Sequence, residues 1–158
     1  MIDRPISILL CLFLWCLVGC GSGNTVTGKV TFSDGEPLTV GRVMFTNDST
    51  TAFGDINAKG EYRMGTKKAG DGVPAGTYQV YITSALVPSE KHARQDEDGN
   101  TYVPSILAID PKFTVPSQSE LTCEVSGKRT FDISVEKPSA SYNPFPTEDA
   151  FVPRRADD

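Results

Sequence analysis

From Thr25 onward apolar and polar residues alternate with period two, and no stretch of useful length repeats every 3.6 residues. Val26, Gly28, Val30 and Phe32 share one parity, with Thr25, Thr27, Lys29 and Thr31 on the other, as in a strand with one buried face. Asp34-Gly35 supplies a turn. Val40 to Asn47 then reads as a second strand, with Val43 and Phe45 inward and Arg42 outward. Phe53 and Ile56 mark a short third strand. Asn57-Ala58-Lys59-Gly60 forms a hairpin turn in which Gly60 can take positive φ, leading to Tyr62 and Met64 alternating with Glu61 and Arg63. Tyr78, Val80 and Ile82 alternate with Gln79, Tyr81 and Thr83; Leu121, Cys123 and Val125 alternate with Thr122 and Glu124. After Ser126-Gly127-Lys128, Phe131, Ile133 and Val135 alternate with Thr130, Asp132 and Ser134. Seven short strands separated by turns predict an all-β fold, a seven-stranded antiparallel Greek-key β-sandwich.

Two regions break the rhythm. Ser84 to Gln118 is long for a connection, with a charged first half, Glu90 to Asn100, expected to be solvated. Its second half carries Ile106, Leu107, Ile109, Phe113 and Val115, enough apolar surface to pack back on the sandwich. Beyond Pro138 the alternation stops and Pro144, Pro146 and Pro153 appear among charges, so residues 138–158 are expected to be a disordered tail.

The N-terminus follows another pattern. Ile6 to Val18 is an apolar run preceded by Arg4 and ended by Gly19-Cys20-Gly21-Ser22-Gly23. A membrane-spanning helix needs about 20 apolar residues, so this shorter run reads as the core of an export signal. Leu17-Val18-Gly19-Cys20 resembles the lipobox of bacterial lipoproteins, in which the cysteine thiol is acylated and a peptidase cuts just before it. The expected organisation is a signal peptide over 1–19, a lipidated Cys20 with a flexible tether over 20–24, a β-sandwich over 25–137 and the tail. Leu17, Val18 and Gly19 would be read by the peptidase, and the lipid on Cys20 would make a membrane the first partner. In envelopes with two membranes, Gly21 in place of Asp favours the outer one.

Charge and cysteine content narrow the rest. The chain has 158 residues and a net charge of -5, and Asp3 offsets Arg4 within the signal, so nucleic acid is not expected as a partner. Cys11 and Cys16 lie in the signal, which leaves Cys20 for lipid and Cys123 on an inward parity as a small buried hydrophobe.

Gly28-Lys29-Val30-Thr31-Phe32, Asp34-Gly35-Glu36-Pro37-Leu38 and Val43-Met44-Phe45 resemble the first hairpin of carboxypeptidase-regulatory-like, or transthyretin-like, domains. Gly60-Glu61-Tyr62, Val73-Pro74-Ala75-Gly76-Thr77-Tyr78-Gln79-Val80 and the closing pair from Ser119 to Ile133 continue the resemblance over about Thr25 to Lys137. With the lipobox, the whole resembles small envelope lipoproteins of planctomycete-type bacteria. The resemblance implies a prealbumin-like sandwich without general catalytic activity and supplies neither ligand nor protease residues.

His92 is the only histidine and sits in the charged segment without an acid or nucleophile at a recognisable spacing, so it reads as a loop residue. Zinc would need about four ligands, and only His92 and Cys123 are of the preferred type. Asp96-Glu97-Asp98-Gly99-Asn100 clusters hard oxygen donors, and Asp96, Asp98 and Asn100 are weak calcium candidates because the spacing is not that of an EF-hand. No cofactor is expected. Glycan binding is limited by aromatic content: Trp15 leaves with the signal, and only Tyr81 and Tyr102 look placed for exposure. The expected function is a lipid-anchored, non-enzymatic interaction or structural module of the cell envelope, with an envelope protein or glycan as its further partner. The alternatives are a glycan- or calcium-binding module and, more remotely, a hydrolase.

Overall fold

The computed structural model describes residues 24–143. The N-terminal segment with Leu17, Val18, Gly19 and Cys20, and the tail from residue 144, lie outside the described residues.

Strands form where the alternation is cleanest. In chain order they are β1 (Val26–Phe32), β2 (Arg42–Thr46), β3 (Thr51–Asp55), β4 (Glu61–Arg63), β5 (Gly76–Thr83), β6 (Leu86–Pro88), β7 (Arg94–Gln95), β8 (Thr101–Tyr102), β9 (Ser105–Leu107), β10 (Leu121–Val125), β11 (Arg129–Thr130) and β12 (Ile133–Val135). They build an all-β sandwich of two four-stranded sheets. One sheet has β1 at its centre, with β4 antiparallel on one edge and β11 and β12 successively along the other; the second runs β10-β5-β2-β3 and is antiparallel throughout. The inward parities of both sheets meet in one core containing Val26, Val30, Val43, Phe45, Tyr78, Val80, Ile82, Cys123, Val125, Ile133 and Val135. Phe45 lies at its centre, 5.9 Å from the Tyr78 ring and edge-on to Phe131 at 6.0 Å.

The alternation predicts strands but not partners, and the structure departs from the antiparallel expectation at one place. β1 pairs in parallel with both β11 and β12, Val26 opposite Arg129 and Val30 opposite Ile133. Phe131 and Asp132 interrupt that last strand. The Phe131 N–H still bonds the Thr27 carbonyl, while the Asp132 carboxylate accepts the Lys29 N–H.

Gly28 occupies an inward position on β1, and Tyr62 from β4 fills the space a side chain would have taken. The Tyr62 ring is 4% exposed, and its hydroxyl donates to the Phe131 carbonyl across β1. A Cβ at residue 28 would overlap Phe131 and lie 2.8 Å from the Tyr62 oxygen. Glycine is therefore fixed by close approach rather than by backbone angle.

Phe53 is not an inward residue. Ala52 and Gly54 face the core, and Phe53 lies on the outer face beneath the Arg42 guanidinium, 4.9 Å from its ring centre. The reason is register: Met44 is outward on β2, and Phe53 pairs directly with it.

The segment from Ser84 to Gln118 also contains more structure than its composition predicts. β6 pairs with β9 and β7 with β8, forming two small antiparallel ladders. Ile109 and Phe113 bury into the core as expected, Ile106 and Leu107 are half-buried, and Val115 stays exposed at 38%.

Asn24, read from the sequence as the last tether residue, is held by the sandwich. It exchanges both backbone hydrogen bonds with Val73, and its side-chain oxygen accepts the Gly127 N–H at 2.9 Å.

Candidate functional site

A cleft of about 540 Å³ opens on the outer side of the β4-β1-β11 sheet. Its walls follow from the strand alternation: the residues that point away from the core are Thr27 and Lys29 on β1, Glu61 and Arg63 on β4, and Thr130 on β11. Asp55, Asn57 and Asp132 complete the rim. Lys29 stands directly opposite Glu61 and Thr27 opposite Arg63, so unlike charges alternate across the floor. Cross-strand pairs of this kind contribute only fractions of a kcal/mol each, but they leave a polar surface with both signs available to a ligand.

Two groups of this cleft are already engaged within the fold. Tyr62 at its base is held neutral, because burial and the nearby Cys123 and Asp132 push its phenol far above the ordinary value. Asp55 is committed at 2.6 Å to Arg42.

The sequence candidates lie elsewhere and are not brought together. His92 is half-buried in a short 3-10 turn over Glu90–His92, where its Nδ1 is 2.7 Å from the buried Ser89 hydroxyl; neither residue lines the cleft. Cys123 is fully buried; desolvation raises its thiol pKa, with the nearby Arg129 guanidinium acting in the opposite sense. Asp96 closes its own turn: its carboxylate accepts the Asn100 side-chain amide and the N–H groups of Asn100 and Asp98. Those bonds, Asn100 first, lower its pKa. Of the three calcium candidates, Asp96 thus turns its carboxylate into the loop, and among the described residues no three His, Cys, Asp or Glu side chains converge as metal ligands. Tyr102 is exposed at 66% on β8. Tyr81 is half-buried on the outer face of β5, in register with Met44 and, through it, Phe53.

Sequence reasoning missed the cleft itself. The outward parity of Lys29, Glu61 and Arg63 was readable, but their assembly depends on β1–β4 register and on the bend at Asp132, which no local pattern specifies.

Fold and cleft together define an all-β sandwich module with an open cleft lined by side chains of both charges. Its structural neighbours include two DUF3823 family proteins: one from Bacteroides ovatus (TM-score 0.40, 16% identity, covering 73% of this chain and 45% of that one) and one from Bacteroides uniformis (0.37, 16%, 73% and 43%). The TIE protein of Bacillus anthracis is similar at TM-score 0.38 and 13% identity, covering 73% of this chain and 17% of that one. The chain thus spans less than half the length of each. Its sequence matches no protein-family model and no curated protein. Among the described residues no helix is long and apolar enough to cross a membrane.

Proposed function

We propose that the chain is a lipid-anchored envelope protein whose β-sandwich is a non-enzymatic interaction or structural module. The observation that carries the reading is the Leu17-Val18-Gly19-Cys20 pattern at the end of an apolar run, four positions before the first residue held by the sandwich. A thiol there is the one side chain that can form the thioether of a lipidated N-terminus. Two or three acyl chains, at about 0.8 kcal/mol per buried methylene, make such attachment effectively permanent. Gly21 in the following position directs the protein to the outer membrane where an envelope has two.

The module is the carboxypeptidase-regulatory-like domain that the strand motifs resemble, and its polar cleft is the place for an envelope partner. The non-enzymatic reading is supported by the committed state of the cleft's phenol and of Asp55.

Membrane fractionation with a salt wash tests the anchor. The native chain is expected to stay with membranes and to yield an acylated N-terminal peptide by mass, whereas Cys20→Ala is expected to be released. Membrane retention of Cys20→Ala, or an unmodified thiol in the native chain, removes the proposal.

A further inference from the structure

The end of the sandwich at Asn24 is also its basic end. Asn24 is bonded to Val73 and to Gly127, so the loops containing those two residues surround the point where the chain enters the fold. The first, between β4 and β5, carries Lys67 and Lys68; the second, between β10 and β11, carries Lys128 with Arg129 beside it, and all four are exposed. Acidic groups at this end are Asp48 in the β2–β3 turn, Asp71 and Glu124. Asp71 turns inward on its own loop, accepting the N–H groups of Thr66, Lys67 and Lys68, and this leaves both lysine side chains on the outside. Among the described residues, none of the ion pairs uses Lys67, Lys68 or Lys128.

The opposite end has the reverse character. Asp34 and Glu36, which share Lys137, sit in the turn after β1, and the excursion after β5 leaves from that end carrying Glu90, Asp96, Glu97 and Asp98 against Lys91 and Arg94. The domain is therefore electrically polarised along β1 although its overall charge is negative.

We infer that the end around Asn24 is apposed to the bilayer and that Lys67, Lys68 and Lys128 contact anionic lipid headgroups there. The inference rests on the lipid anchor proposed above. From Cys20 to Asn24 a fully extended chain reaches only about 14 Å. That is close to the screening length of about 10 Å at 0.1 M salt, so these lysines stay within the range of the surface potential while the acidic end is held beyond it. A basic residue this close to an anionic surface strengthens attachment about fivefold, and three acting together fix an orientation rather than a mere attraction.

Lysine acetylation, read by mass spectrometry on the full native chain in vesicles, tests the orientation. In phosphatidylcholine vesicles containing phosphatidylglycerol, Lys67, Lys68 and Lys128 are expected to react about tenfold more slowly than in phosphatidylcholine alone, and high salt should abolish the difference. Lys91 and Lys112, toward the acidic end, should react alike in both. In the Lys67→Glu/Lys128→Glu variant, whose changes lie on the surface, Lys68 should lose its protection. Equal reactivity of the three lysines in the two vesicles, or protection of Lys68 surviving in the variant, overturns the orientation. The same spectra report the N-terminal peptide: an acylated peptide with equal lysine reactivity removes the orientation alone, and an unacylated one removes the anchor and the orientation together.

Discussion

Gly28 and Tyr62 act as one unit: the absence of a side chain on β1 is what admits the ring from β4, and the ring's hydroxyl satisfies a carbonyl where the last strand bends. Adding a methyl at residue 28 forces either the ring or the bend to move. Gly28→Ala is expected to cost about 3 kcal/mol, at the upper end of overpacking changes. Tyr62→Phe keeps the ring and removes only the hydroxyl, leaving the Phe131 carbonyl without that donor, and should cost about 1–2 kcal/mol. Urea denaturation of the two variants checks both figures, and a Gly28→Ala protein as stable as the native one would show that the sheet absorbs the methyl.

At the level of elements, the loop between β4 and β5 owes its shape to Asp71. Partial desolvation works to raise the Asp71 pKa, but the three backbone N–H groups it accepts outweigh this and hold it below 3.8. A carboxylate whose folded pKa lies below its unfolded value contributes stability that is complete above about 3.9 and is lost as pH falls through the lower folded value. The loop should therefore keep its structure at neutral and mildly acidic pH and loosen below about pH 3.8. Amide exchange at Thr66, Lys67 and Lys68 measured across that range is expected to accelerate on acidification, and in Asp71→Asn to be fast at every pH.

The same scale shows what the sequence could and could not say. Strands β1, β2, β4, β5 and β10 were legible because each hides one parity against a single core. Phe53 marked β3 correctly, but the face it takes was not legible, because an aromatic ring can be satisfied by a neighbouring guanidinium as well as by the interior. The ladders β6–β9 and β7–β8 were not legible because their residues are largely exposed and leave no two-sided pattern. Tyr81 is outward by parity and half-buried, and that it stands beside Met44 is a matter of register. The cleft needed pairings between residues far apart in sequence, and period two carries no information about those.

On the scale of the whole molecule, the proposed anchor and the uneven charge would together give the module one orientation on a surface. The mixed-charge cleft lies on the flank between the two ends, which under that proposal leaves it open to a partner approaching parallel to the membrane. The fold also has many pairings between distant residues, of which Val26 with Arg129 and Phe32 with Val135 are among the longest. Refolding of the unlipidated chain from urea should accordingly take milliseconds to seconds, and completion within microseconds by stopped-flow fluorescence would contradict this. Because β1 takes its parallel partners from β11 and β12, far along the chain, that side of β1 offers unpaired backbone groups until both are in place. A chain interrupted before Arg129 therefore carries an open strand edge, the template on which copies of a protein aggregate.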